Sequence, residues 1–178
     1  MAEQGTHKGA HVMGLVGAGH FMSHFYGLTL PPMFPIFKAE FGVSYAALGL
    51  LMAAYGLIGG LLQAPVGYLV DRVGPSRVLI VGMGLIAISI GAIGFVDTYW
   101  ALFVLAVLAG IGNSVFHPAD FSLMNQIISP NLMGRAYSIH SLGGHAGFAL
   151  APLIMAPLAV WAGWREALLI AGLAGLAL

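Results

Sequence analysis

Charged residues are sparse along this chain, and they divide it into long apolar stretches. Between Lys8 and Lys38 lie 29 residues without Asp, Glu, Lys or Arg, and between Glu40 and Asp71 lie 30. Runs of 19, 22 and 29 residues separate Arg77 from Asp97, Asp97 from Asp120 and Arg135 from Arg165. A helix that crosses a bilayer needs about 20 mostly apolar residues, rising about 1.5 Å each. The pattern therefore predicts membrane helices near 11–37, 45–70, 78–96, 99–126 and 136–161, with Asp120 inside the fourth. A sixth apolar run, 165–178, is too short to cross, so the chain reads as cut inside its sixth helix. The connecting loops are short, which makes successive helices antiparallel neighbours.

Composition narrows the class. Hydrophobic residues make up 60% of the chain and charged residues 7%, against about 25% charged in a soluble domain. A soluble fold of this size has too little interior for so much apolar surface. Six basic and six acidic side chains give no net charge, which excludes a nucleic-acid binder and a disordered acidic or basic tail. The 26 glycines follow no collagen period and fit closely packed membrane helices. Gly56/Gly60 and Gly143/Gly147 are small-xxx-small pairs of that kind. There is no cysteine, so disulfides and thiolate ligands are excluded. The first apolar stretch is too long for a signal peptide and contains His20 and His24, so it reads as an uncleaved first helix.

With the N-terminus inside, Lys8, Arg72, Arg77 and Arg135 are cytoplasmic, and only Lys38 and Arg165 are outside. That is the expected positive-inside bias. Tyr45, Tyr99, Trp100, Trp161 and Trp164 then form an outer aromatic belt.

The densest motif joins the second and third helices: Gly67-Tyr-Leu-Val-Asp71-Arg72-Val-Gly74-Pro75-Ser76-Arg77. Gly67 permits close helix contact, Gly74 a tight turn, and Arg72 and Arg77 can pair with acidic groups or lipid phosphates. Its spacing resembles the Gly-x-x-x-Asp-Arg-x-Gly loop of the major facilitator superfamily, departing from it at Pro75 and Ser76, where basic residues are usual. Phe116-His117-Pro118, Gly134-Arg135-Ala136 and the run from Gly143 to Pro152 resemble the fosmidomycin-resistance-like branch of that superfamily. Gly19-His20-Phe21-Met22-Ser23-His24 is similar to that branch's first-helix motif, with His24 where the branch carries Asp.

The resemblance implies an all-α membrane protein, the N-terminal six-helix half of a twelve-helix fold, built from two inverted three-helix repeats. It implies a secondary active transporter of a small organic solute, proton-coupled, an antiporter working by alternating access in the inner membrane. The implied partners are that solute, H+, the lipid bilayer and a C-terminal half of the same chain, with no cofactor. In the family the helix 2–3 motif controls switching and does not contact substrate. Gly67, Asp71, Arg72, Gly74 and Arg77 take that role here, and Arg135 lies in the following cytoplasmic loop.

Polar residues inside the spans carry the chemistry. His20 and His24 share a helix face. Asn113, His117 and Asp120 form a polar stripe on the fourth helix, and Pro118 is expected to kink it there. His145 lies in the glycine-rich part of the fifth helix. Intramembrane ionisable groups are expensive and mark transport paths. His20, His24, Asn113, His117 and His145 are therefore expected to converge on one central substrate or proton cavity. Asp120 has two readings: with His117, three residues earlier, it can hold a proton, or it belongs to the conformational charge network, within reach of Arg72, Arg77 or Arg135. The second is favoured, and His140 is assigned to water at the cytoplasmic end.

Two other classes compete. Seven histidines are many for this length, and a histidine-ligated metal- or haem-binding membrane protein is the alternative. No Cys, no His-Glu-x-x-His and no carboxylate cluster favours it, so no metal ligands are assigned. A hydrolase using Ser138, His140 and Asp120 lacks a Gly-x-Ser-x-Gly context. No Gly-x-x-x-x-Gly-Lys-Ser/Thr loop is present for ATP.

Overall fold

The chain was analysed as a computed structural model that describes residues 2–178, with side chains from residue 9 onward. The Lys8 side chain, counted above with the cytoplasmic charges, lies outside the described residues. Nine α-helices account for almost all of the described chain: α1 Ala2–Gly27, α2 Phe34–Phe41, α3 Tyr45–Leu61, α4 Gln63–Val73, α5 Pro75–Ile93, α6 Tyr99–Asn113, α7 Phe116–Ile127, α8 Met133–Ala162 and α9 Trp164–Leu176. Among the described residues there is no strand.

Prolines explain where expected spans are interrupted. A proline has no N–H to give the carbonyl four residues back, and it disfavours helix in the residue before it. Pro31 and Pro32 end the first span's long helix and start a short 3-10 turn before α2. Pro65 leaves Leu61 unpaired, and α3 and α4 meet at a 47° bend. Pro118 does the same for Ser114, where α6 gives way to α7. Pro152 and Pro157 sit inside the unbroken α8. Ser44 and Thr98 cap α3 and α6 by accepting from Ala47 N–H at 3.1 Å and Ala101 N–H at 3.3 Å, a contribution of about 1 kcal/mol each. Gly74 and Gly163 end α4 and α8 at φ of 94° and 101°, values an L side chain rarely adopts.

Among the described residues, three helical stretches are long and apolar enough to cross a membrane: 75–93, 99–127 and 130–162. The bent pair α3–α4 makes a fourth when counted as one span. Large apolar side chains line the outside, among them Val160, Trp161 and Ile80, which are 87%, 82% and 73% exposed. Water does not tolerate such a surface, but a bilayer does.

The packing has a partial internal symmetry. α1 lies along α8, α3 along α6, and α5 against both α9 and α6. The α5–α6 contact has no counterpart of like extent between α9 and α1. Exchanging the first three spans (α1–α2, α3–α4, α5) with the last three (α6–α7, α8, α9) maps the α1–α8 pair onto the α6–α3 pair and returns α5–α9 to itself. Three crossings are an odd number, so the second set runs opposite to the first, as inverted repeats require. Gly143 belongs to the α1–α8 seam, where a Cβ would stand 2.5 Å from the Gly17 carbonyl. The other small pair does not work this way, since Gly56 and Gly60 have no atom within 4 Å of an added Cβ.

The loops at the end carrying Lys38 and Arg165 are tied together. Glu40 accepts from Trp164 Nε1–H at 2.7 Å and pairs with Arg165, which also reaches Asp97 at 2.9 Å and the Val96 carbonyl at 3.0 Å. Trp164 is thereby packed against Phe37 and Phe41 and is buried. It does not join the exposed belt expected of it, whereas Tyr45, Trp100 and Trp161 are exposed.

Candidate functional site: a buried histidine and aspartate cluster

The cluster forms where α1, α7 and α8 meet. His20 comes from α1, His117 and Asp120 from adjacent turns of α7, and His140 from α8. Asp120 is 1% exposed, His20 3% and His140 4%. A lone carboxylate at that depth is prohibitive, so it must be partnered. Asp120 Oδ2 accepts from His140 Nε2–H at 3.1 Å, since a carboxylate only accepts, and lies 3.5 Å from His20 Nδ1.

The rings are stacked into a compact group. The His20 ring lies over that of His140, with centroids 3.6 Å apart and planes 20° from parallel. His24 is 4.2 Å and His117 5.0 Å from His20 by the same measure. His24 also packs on Phe148, and Phe121 covers His117 and His140. His24 and His117 are half-buried, which puts them on the open side of the group. Three buried imidazole nitrogens have no hydrogen-bond partner: Nδ1 of His20, of His24 and of His117. Gly144 makes room for the group, because a Cβ there would stand 2.8 Å from His20 Cδ2 and 2.9 Å from His24 Cε1.

Of the five cavity residues expected from sequence, the structure brings together His20, His24 and His117. His145 is exposed on α8, its Nδ1–H donating to the Ser141 carbonyl at 2.7 Å. Asn113 is half-buried at the α3–α6 seam, its Nδ2 3.5 Å from where a Gly59 Cβ would be. Neither belongs to the cluster.

Asp120 also departs from its assignment. Its ion-pair partners are the two histidines and not Arg72, Arg77 or Arg135, all three of which are exposed. The α7 face that carries Asp120 is buried with Phe116, Ala119 and Met124, and its carboxylate pairs with His20 and His140. His140, expected to meet water, is the residue that sequence reasoning missed. Its signal was present: Ala136, His140, Gly144, Gly147 and Ala151 recur at four and three residues, and all are buried. That periodicity marks the face toward α1 and leaves His145 outside it.

The helix 2–3 motif sits apart from the cluster. Asp71, Arg72 and Arg77 are exposed around the turn made by Gly74. Arg72 donates to the Tyr68 hydroxyl and lies 4.2 Å over its ring. Among the described residues Asp71, Arg77 and Arg135 form no ion pair. An added Cβ at Gly67 would meet nothing within 4 Å, so the close helix contact expected there is not made within this chain.

Tightly packed apolar helices, an apolar exterior and an ionisable cluster between α1, α7 and α8 define a polytopic membrane protein. The family model of the Major Facilitator Superfamily matches residues 16–178, and the chain belongs to that superfamily. The chain is 28% identical to the fosmidomycin resistance protein of Escherichia coli K12 over 145 residues, which is 82% of this chain and 36% of that protein. It is 27% identical to a probable L-galactonate transporter of the same organism over 139 residues, 78% of this chain and 31% of the relative. A probable sulfoacetate transporter of Cupriavidus necator is 25% identical over 161 residues, 90% of this chain and 37% of the relative. The chain thus spans about a third of the length of these curated relatives. Its family consists of integral membrane transporters, and no catalytic family is indicated.

Proposed function

We propose that this chain forms part of a secondary active transporter that moves a small organic solute by alternating access, with a proton as the coupling ion. The observation that carries the reading is Asp120 buried between His20 and His140, with His24 and His117 on the open side. A polar group at mid-membrane is tolerated where it faces protein or a water-filled path. Such a group, shared among three helices, changes partners when those helices shift. His20, His24 and His117 line the path, Asp120 and His140 form its floor, and a second bundle supplies the facing wall. Gly67, Asp71, Arg72, Gly74, Arg77 and Arg135 belong to the cytoplasmic switching surface. The proposed setting is the inner membrane with the N-terminus cytoplasmic, which puts Arg72, Arg77 and Arg135 inside.

The names of the relatives supply the probes. Inside-out vesicles from cells overproducing the protein are tested for uptake of fosmidomycin, L-galactonate, sulfoacetate and a wider panel of small organic anions. The reading expects one solute to accumulate above control vesicles and the accumulation to collapse with a protonophore. Accumulation that survives the protonophore rejects the coupling ion. No solute-dependent flux across the panel, from a folded and inserted protein, counts against the transport reading itself.

A further inference from the structure

Three imidazoles from three helices meet in the cluster with nitrogens available to coordinate. One ring nitrogen each from His20, His117 and His140 can be chosen so that all lie within 4.8 Å of one another. His20 Nδ1 and His117 Nδ1 are buried without a hydrogen-bond partner, although buried polar atoms ordinarily find one. His20 is itself only 3% exposed. Around a tetrahedral ion with bonds of about 2.0–2.2 Å, neighbouring ligand atoms stand about 3.3–3.6 Å apart. Asp120 Oδ2 is 3.1 Å from His140 Nε2 and 3.5 Å from His20 Nδ1, close to that spacing. The widest ring separation in the set is 5.9 Å, between His117 and His140. His117 is only half-buried and lies outside the Asp120 hydrogen bond, so it is the ring best able to swing inward.

We propose that His20, His117 and His140, with Asp120 as the fourth ligand, form a binding site for a divalent d-block cation of the Zn2+, Co2+ and Ni2+ class. The proton that His140 Nε2 donates to Asp120 is released as the ion binds, and one of the two stacked rings, His20 or His140, turns so that both present in-plane lone pairs. Imidazole-rich sites without thiolates favour these ions. Mg2+ and Ca2+ require shells of six or more oxygens, and this cluster offers a single carboxylate. That carboxylate also supplies negative charge, without which a dication would not remain at this depth. His24 stands at the open side with its own unpartnered Nδ1, 4.2 Å from His20 ring to ring, as an entry ligand. The inference goes beyond the transport reading, and binding of the ion does not depend on that reading.

Co2+ titration of the untagged protein in detergent is the test, because tetrahedral nitrogen and oxygen ligation gives Co2+ intense visible ligand-field bands at longer wavelength than the weak band of the aqueous ion. The site predicts bands that saturate at one ion per chain, are displaced by Zn2+ and are untouched by excess Mg2+. His117→Gln removes one ligand outside the Asp120 hydrogen bond and should weaken binding at least about tenfold, in the range seen when the surroundings of a metal site are disturbed. His145→Gln, at an exposed histidine outside the cluster, should bind as the parent does. Zn2+ should also raise the thermal midpoint of the parent and of His145→Gln, and by clearly less that of His117→Gln at the same ion concentration, by preferential binding to the folded state. Absence of bands and of any Zn2+-induced rise in the parent overturns the proposal. So does a signal lost in His145→Gln and kept in His117→Gln, which would place the ion on surface histidines.

Discussion

Gly144→Ala adds one methyl group, and the structure states what it meets. The new carbon would stand 2.8 Å from His20 Cδ2, 2.9 Å from His20 Nε2 and 2.9 Å from His24 Cε1. Optimal contacts between such atoms lie at about 3.5–4.0 Å, so both rings must retreat by roughly 0.6–1.2 Å. His20 has nowhere to go: the His140 ring is stacked on it at 3.6 Å, and Asp120 stands 3.5 Å from its Nδ1. Overpacking of this kind costs about 1–3 kcal/mol, less the fraction of a kcal/mol that alanine gains over glycine inside a helix. A displacement near 1 Å at a working site lowers rates by about a hundredfold. Gly60→Ala and Gly134→Ala are the controls, because nothing lies within 4 Å of a Cβ at either position. Thermal unfolding in detergent should show Gly144→Ala several degrees below both controls, at about 2–4 °C per kcal/mol. Its transport rate should fall by one to two orders of magnitude, with membrane insertion preserved. A Gly144→Ala protein that matched the controls in both would refute the close packing of His20 and His24 against α8.

Other consequences are open to measurement. Asp71→Asn lies outside the cluster, at an exposed turn. With its proposed role in switching and not binding, it should lower the maximal transport rate about tenfold with the half-saturation constant unchanged; a raised constant at normal maximal rate would contradict that role. Tyr26 is 1% exposed and donates to the Ala171 carbonyl at 2.9 Å, tying α1 to α9. Tyr26→Phe should cost about 1 kcal/mol, read as a drop of a few degrees in the unfolding midpoint. Arg165→Gln breaks the Glu40 and Asp97 pairs, which are partly exposed, so it should cost about 1 kcal/mol or less, and the difference from the parent should shrink in high salt.

The spacing of charges marks where apolar helices run, because a charge inside a bilayer is expensive and its absence over twenty residues is informative; among the described residues 75–93, 99–127 and 130–162 are long and apolar enough to cross, and α3–α4 adds a bent fourth. Breaks within spans were legible only in part. Pro118 was expected to kink its helix, and the helix is interrupted there between α6 and α7 while still counting as one span; Pro65 lies in a run that reads as one span and bends it by 47° at Leu62. The site was half legible. His20 and His24 follow from their shared face, and His117 from its place opposite them in the second repeat. His140 and Asp120 were assigned by their distance from the helix ends, which says how deep a residue lies and not which way it faces. The spacing of small residues on α8 carries the direction, and it puts His140 inside and His145 outside. Trp164 shows the same limit, since its depth suits an aromatic belt while the loop clasp with Glu40 turns it inward.

In the transport reading proposed above, the buried Asp120 group couples helix movement to solute transport. Asp120→Asn keeps the shape of the side chain and an acceptor oxygen for His140, and removes the charge. The measurement compares two modes in proteoliposomes for the solute that the vesicle assay selects: exchange at equal concentrations on both sides, and accumulation against a gradient under an imposed pH difference. The account predicts exchange within about threefold of the parent, because uniform binding is retained, and accumulation lost. Accumulation at the parental level in Asp120→Asn would contradict it.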